Sequence, residues 1–321
     1  MPRVKVLFHD NCFDGASSAA LFSRFYAARI DPTAEFVFAG KSHAPGDVYG
    51  DNSFDGDVNV VVDFRYSSNA HLDWWFDHHV SGFPTPADEA HFRANPSEHK
   101  IYDPKAQSCA KLLATSCQAR FGWDYSAHDE LVRWADLIDG AKFESPRAAV
   151  ELAEPALRLM TWVENNHELP LKTRFIDALV SKSLAEIAAE PWVAGPLAPV
   201  LERHVKSIDI IRARARYEGG VVTFDVADDG LEAPNKFIPY YLHPECTYVV
   251  GVSRSSSRCK ISVGSNPWRP EARRANIAAI CERYGGGGHP VVGAVSLKAN
   301  ELARTREIAA EIAEELRHAV V

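Results

Sequence analysis

Short, almost continuous hydrophobic runs alternate along this chain with longer stretches of helical spacing. VKVLF from Val4, EFVFAG from Glu35, VNVVVDF from Val58 and LDWWFDHH from Leu72 are four such runs. Each is short enough for a buried strand and closes in polar residues. Between the first two lies ASSAALFSRFYAARI, whose Leu21, Phe22, Phe25 and Tyr26 suit the packed side of a helix. Buried strands separated by helices predict a parallel sheet in an α/β fold.

Helical spacing returns from Ala106 to Phe121 and from Ala127 to Ile138, and further helices are expected after these. The segment EPWVAGPLAP from Glu190 is rich in Pro and Gly and breaks the pattern. LERHVKSIDIIRARARY from Leu201 then reads as one connecting helix. Beyond it the texture changes to GVVTFDV, TYVVGVS and RCKISVGS, three strand candidates. A helix over ARRANIAAICERY, a glycine run, a strand VVGAVSL and a helix from Asn300 complete the chain. The expected organisation is an N-terminal domain over 1–190, a largely helical linker over 191–217 and a smaller α/β domain over 218–321.

A chain of 321 residues, 46% hydrophobic and 24% charged, is long enough for two cores and too apolar for disorder. Its 35 Lys and Arg against 43 Asp and Glu give a net charge of -8. That argues against general coating of duplex DNA, which depends on neutralising phosphates, and leaves room for a local basic pocket. The six cysteines have no CxxC spacing and read as reduced thiols of a cytoplasmic protein. No stretch is long enough to span a membrane, and none resembles a signal peptide.

The strand ends carry the chemistry. FHDNCFDG offers His9, Asp10 and Asp14; VVDF offers Asp63; FDHHVSG offers Asp77, His78 and His79. WADLIDGAKF adds Asp136 and Asp139. Ligands of an open parallel sheet bind beyond the carboxyl ends of its strands, so these clusters should converge. A lone strand-end Asp is more often a turn or cap, and a lone His pair a hydrogen-bonded structural feature. Gathering all of them at one edge is electrostatically costly without a cation. Mixed His and Asp donors suit manganese better than calcium, and a bridging carboxylate allows two ions.

A second candidate is YGGGGHPVVG, where Gly285, Gly286, Gly287 and Gly288 precede His289. Successive exposed N–H groups can cradle an anion, and His289 can add a donor. A helix cap alone would need one glycine. Upstream, Arg254 follows an apolar strand, and Arg258 and Lys260 lie close by. Arg254 and Arg258 are candidate phosphate contacts, whereas Arg273 and Arg274 read as a solvated face.

HDNCFDG, VVDF, the DHH triplet and ADLIDGAKF, in this order, resemble the motifs of the DHH phosphoesterase family, RecJ-like and nanoRNase-like. GGGGHP resembles the signature of the DHH-associated C-terminal substrate-binding domain. The resemblance implies two domains facing a cleft. The first would hold two manganese ions, with magnesium as the alternative, and the second would grip a phosphate or nucleotide end. It implies His9, Asp14, Asp63 and His78 as metal ligands, with Asp63 bridging. His79 would contact phosphate and Asp77 would orient the His pair. Asp136 matches the remaining ligand, with Asp139 a close alternative. One departure stands out: Cys12 occupies a position where many members carry a carboxylate, and His9 sits one residue further out than in their pattern. Whether the second metal position uses Asp10, is weak or is absent stays open on the sequence.

The expected activity is hydrolysis of phosphodiester bonds in short single-stranded oligonucleotides or dinucleotides by metal-activated water. His79 and Arg254 would stabilise the developing charge, and the terminal phosphate would lie near His289 and Arg254. A phosphomonoesterase acting on nucleotide 3′-phosphates, a polyphosphate hydrolase and a nucleotide-binding protein without turnover are the alternatives. The helix over 201–217 could serve as a hinge or as the face of a homodimer.

Overall fold

In the computed structural model, the described residues are 1–42, 48–231 and 234–320. They form two compact units, one from Met1–Phe143 with Ala153–Leu197, the other from Glu144–Leu152 with Ala198–Val321.

The first unit is built on β1 (Arg3–His9), β2 (Glu35–Lys41), β3 (Val58–Val62), β4 (Trp74–Asp77) and β5 (Lys100–Tyr102). All pair in parallel, in the order β2-β1-β3-β4-β5. Val60, Val61, Val62, Trp75 and Phe76 are fully buried, as expected for central strands covered on both faces. The chain steps from β1 outward to β2 and then returns to place β3 on the other side of β1. That reversal opens a crevice at the carboxyl ends of β1 and β3, where ligands bind in open α/β sheets.

Helices of this unit are α1 (Phe13–Arg29), α2 (Pro86–Ala94), α3 (Cys109–Phe121) and α4 (Asp129–Asp139). After α5 (Pro146–Glu151), which belongs to the second unit, come α6 (Pro155–Asn165), α7 (Leu169–Ser181) and α8 (Leu184–Ala189). Helix α1 packs against the sheet through Phe22 and Phe25, whose rings lie 5.7 and 5.6 Å from that of Trp74. It can lie so close to β1 because residue 15 is glycine: a Cβ there would meet the His9 carbonyl oxygen at 2.1 Å.

The segment expected to break the helical pattern is itself helical. Helix α9 runs unbroken over Pro191–Arg214, through Gly195, Pro196 and Pro199. Pro191 stands at its first position, where no donor is missed. Prolines inside the helix cost backbone hydrogen bonds. Burial of Val193 and Leu197 offsets that local preference, a tertiary effect outside the reach of a breaker rule.

The second unit carries β6 (Arg216–Glu218), β7 (Val221–Asp225), β8 (Tyr248–Arg254), β9 (Arg258–Ser265), β10 (Gly287–His289) and β11 (Val292–Lys298). The sheet order is β10-β11-β9-β8-β7-β6, with β7 and β8 parallel and the other pairs antiparallel. Its helices are α10 (Ile238–Leu242), α11 (Ile277–Glu282) and α12 (Leu302–His318). Ile277, Ile280, Ile308, Ile312 and Leu316 close its core over Val250, Ile261 and Val263. Helix α5 is held here by Asn235 Nδ2 donating to the Ala149 carbonyl at 3.0 Å. The α/β class, with its parallel N-terminal sheet and second C-terminal α/β unit, agrees with the expectation. No described helix is long and apolar enough to cross a membrane.

Candidate metal centre

Three chain reversals bring the strand-end residues together. β1 ends at His9, and Cys12 is the N-cap residue of α1. β3 ends just before Asp63, which turns the chain with φ of +56°. That left-handed conformation is uncommon outside glycine, though Asp tolerates it better than most, and here it sits within the candidate site. β4 ends at Asp77, immediately before His78 and His79.

Asp63 is the centre of the cluster and only 1% exposed. His9 Nδ1 lies 3.4 Å from its Oδ2, His78 Nε2 lies 3.4 Å from its Oδ1, and His79 Nδ1 lies 3.8 Å from Oδ1. Neither carboxylate oxygen has a hydrogen-bond partner among the described residues. Burial raises the Asp63 pKa, but His78 and His9 outweigh it and hold the carboxyl at about 2. Burial lowers His78, and the carboxylates of Asp63, Asp14 and Asp139 more than reverse this, to about 10. The cluster is therefore a buried negative site that binds positive charge, whether proton or metal.

His78 is aimed by its other nitrogen. Nδ1 lies 3.2 Å from the Ala106 carbonyl, to which it can only donate. In the neutral ring Nε2 then carries the lone pair; it faces Asp63 and Asp139 at 3.4 Å and Asp14 at 3.8 Å, where either a proton or a metal ion can sit. A fixed tautomer of this kind is the usual arrangement of a metal-ligating histidine. His79 is held differently, with Nδ1 2.8 Å from Asp77 Oδ1. The same oxygen accepts the His78 backbone N–H at 2.9 Å and the His79 backbone N–H at 3.3 Å. Asp77 is fully buried and acts on the pair from behind.

Asp14 is also buried. Its Oδ2 accepts from the Cys109 N–H at 2.7 Å and its Oδ1 from the Ala110 N–H at 3.0 Å, at the start of α3. Burial, then Asp63 and Asp139, push its carboxyl well above the usual range, a repulsion that a cation would relieve.

The two acids of α4 are placed apart. Asp139 points into the cluster beside His78. Asp136 accepts from Ser108 Oγ at 3.1 Å and pairs with Lys111 Nζ at 3.0 Å, bracing α4 against α3. Asp10 is likewise engaged elsewhere: it pairs with Lys172, whose Nζ also donates to Asn11 Oδ1 at 3.0 Å. Lys172, on α7, had no signal in the sequence, being 162 residues from its partner. The Ala106 carbonyl and the amides of Cys109 and Ala110 were equally illegible, because backbone groups leave no residue-type trace.

The donor atoms form three overlapping sets, each with all its atoms within 4.8 Å: His9, Cys12 and Asp63; Asp63, His78 and His79; Asp14, His78 and Asp139. Buried carboxylate oxygens and an imidazole nitrogen without hydrogen-bond partners among the described residues, gathered at this spacing, fit divalent metal.

The glycine run lies in the second unit, where part of it is a strand. Gly285 has φ of +74° in the turn that follows α11. A Cβ at Gly286 would lie 2.2 Å from the Ala294 carbonyl oxygen, and one at Gly288 2.2 Å from that of Val292. These three glycines thus have structural reasons, and a Cβ at Gly287 would meet nothing. His289 is exposed on this edge strand. Arg254 ends β8 opposite Cys259, and Cys259 pairs with Leu297 of β11; His289 pairs with Val292 at the other end of β11. Five residues of strand separate these levels, about 17 Å at the usual rise. The register therefore sets Arg254 and His289 at different levels of the sheet. Arg254 donates to Asp228 Oδ1 at 3.1 Å, and Arg258 begins β9 at the same end as Arg254.

No family model matches the chain, and no curated protein does. Solved structures do. The chain is similar to PggH of Vibrio cholerae, a pGpG-specific phosphodiesterase, at 19% identity and a TM-score of 0.67, covering 97% of this chain and 99% of that one. It is similar to the DHH domain of a member of a ribosomal-protein family, at 11% identity and a TM-score of 0.55, over 97% and 86% of the two chains. Exonuclease RecJ bound to manganese matches at 14% identity and a TM-score of 0.52, over 98% and 90%. At these identities the likeness is one of fold. The chain has the fold of DHH-domain proteins, in agreement with the resemblance carried by its ordered motifs.

Proposed function

We propose that this chain is a metal-dependent phosphoesterase that hydrolyses phosphodiester bonds in short single-stranded oligonucleotides or dinucleotides. The observation that carries the reading is Asp63, buried, without hydrogen-bond partners among the described residues and shared between two donor sets. A carboxylate so placed suits a bridge between two divalent ions. Manganese or magnesium bound there would activate water and neutralise the charge on a phosphoester.

The ligands assigned are His9, Asp14, Asp63, His78 and Asp139. Asp139 is preferred to Asp136 because Asp136 is already paired with Lys111. His79 is assigned to the phosphoryl group. Burial lowers its pKa, but Asp77 and Asp63 more than reverse this and favour the imidazolium. With Nδ1–H directed at Asp77, the Nε2–H of that imidazolium can donate to a phosphoryl oxygen. In the second unit, Gly287 and His289 on the edge strand β10 are the candidate phosphate contacts, since an edge strand presents unpaired N–H groups. The relatives in fold support the substrate class, because they include a pGpG-specific phosphodiesterase and an exonuclease bound to manganese. The net charge of -8 favours a small substrate over a long polymer.

The test is manganese-dependent hydrolysis of a labelled dinucleotide, a short oligonucleotide and 3′-phosphoadenosine phosphate, by the wild type and by His78→Ala. Cleavage of the diesters, lost in the variant, is the expected result. Release of phosphate from the monoester alone would move the assignment to phosphomonoesterase. Metal-dependent binding of nucleotide with no cleavage of any substrate would overturn the catalytic reading.

A further inference from the structure

Cys12 stands at the edge of the donor cluster, at the start of α1. It is the N-cap residue of α1, a position favoured by Ser, Thr, Asp and Asn because their oxygens accept from the first helical amides. Its own side chain makes no capping hydrogen bond. It forms no disulfide. The neighbouring Cys109 differs, since its Sγ is engaged with the Phe76 carbonyl at 3.3 Å. The Cys12 sulfur lies within 4.8 Å of donor atoms of His9 and Asp63. Asp63 is the independent pointer to a ligand, being 1% exposed with both oxygens lacking hydrogen-bond partners among the described residues.

The donor sets on the two sides of Asp63 are chemically unlike. One side offers His9 nitrogen, Cys12 sulfur and an Asp63 oxygen. The other offers Asp14 and Asp139 oxygens and His78 nitrogen, with Asp63 beside them. Thiolate donors favour ions such as zinc, cobalt and iron, whereas carboxylate-rich sets suit manganese and magnesium.

We propose that Cys12 is a thiolate ligand, and that it makes the His9–Cys12–Asp63 position select a thiophilic divalent ion of the zinc, cobalt or iron class while the Asp14–His78–Asp139 position takes manganese or magnesium. The centre is thus built for two different metals. Binding exchanges the thiol proton for the ion, forming the sulfur–metal bond and releasing one proton to solvent. This rests on the reading of the cluster as a two-metal centre, and it does not depend on the substrate.

The experiment uses the full chain, stripped with a chelator and titrated with cobalt, compared with Cys12→Ser and Cys12→Asp. Ser and Asp are good N-cap residues, so both variants keep the helix start. The wild type should show a thiolate-to-cobalt charge-transfer absorption in the near ultraviolet. Both variants should lose that absorption while keeping the visible bands of bound cobalt. In a zinc and manganese mixture the wild type should retain one of each. Cys12→Asp should shift towards manganese at both positions, its zinc preference falling by about tenfold or more, the scale on which ligand surroundings tune affinity. Two bound cobalt ions with no charge-transfer band in the wild type would overturn the proposal, as would an unchanged band in Cys12→Ser. A charge-transfer band in a protein that hydrolyses nothing would sustain the ligand assignment and defeat the phosphoesterase reading instead.

Discussion

Asp77 directs one oxygen at three N–H groups, those of the His78 and His79 backbone and of the His79 ring. It holds two neighbouring imidazoles differently: His78 turns Nε2 to Asp63, Asp14 and Asp139, whereas His79 turns Nδ1 to Asp77 itself. Asp77→Asn leaves the volume unchanged but weakens the acceptor and introduces an amide donor at the same point. Metal affinity or turnover is expected to fall by about 10- to 100-fold, as for other groups that orient ligands. Titration calorimetry with manganese, alongside the hydrolysis rate, would measure it; unchanged values in both would remove Asp77 from the site. At this scale the sequence was informative where the residue type carries the chemistry. The DHH triplet and Asp63 were legible from strand-end positions. Asp136 and Asp139 are both acids at the end of one helix, so the sequence took Asp136 with Asp139 a close alternative; tertiary contacts separate them, Ser108 and Lys111 engaging Asp136 while Asp139 lies beside His78.

At the scale of elements, the glycine run shows how a motif read as a phosphate contact also serves the fold. Gly286 and Gly288 are demanded by the backbone of β11, while a side chain at Gly287 would enter open space. Gly286→Ala is expected to prise β10 from β11 and to destabilise the second unit by about 1–3 kcal/mol, the range for forced overpacking. Gly287→Ala should change stability by less than about 0.5 kcal/mol, as for surface substitutions. Nucleotide affinity measured on the stable Gly287→Ala variant then reports on ligand approach alone. An affinity equal to wild type would remove this glycine from the phosphate contacts. Four consecutive glycines carried no strand signal, because no propensity favours them in a strand; the pairing partner arrives from β11, later in the chain.

At the scale of the whole molecule, the donor sets lie in the first unit and the glycine strand in the second. Metal should therefore protect particular segments of the chain. Hydrogen exchange with and without manganese is expected to slow in 9–15, 62–64, 76–80 and 108–111, and to leave the strands of the second sheet unchanged. At a manganese concentration about a hundred times the dissociation constant, the first unit should gain about 2.7 kcal/mol. Slowing confined to the second unit would place the metal elsewhere.

The sequence by itself determined the parallel N-terminal strands, the strand-end location of the acids and histidines, and the order of motifs, because these follow from local periodicity and residue type. It also exposed Cys12 as a departure. Only the tertiary structure decided that α9 continues through its prolines, that Asp10 is paired with Lys172, and that Arg254 and His289 lie at opposite ends of a sheet. The physical reason is common to all three. Each depends on burial, or on a partner distant along the chain, and a local pattern carries no record of either.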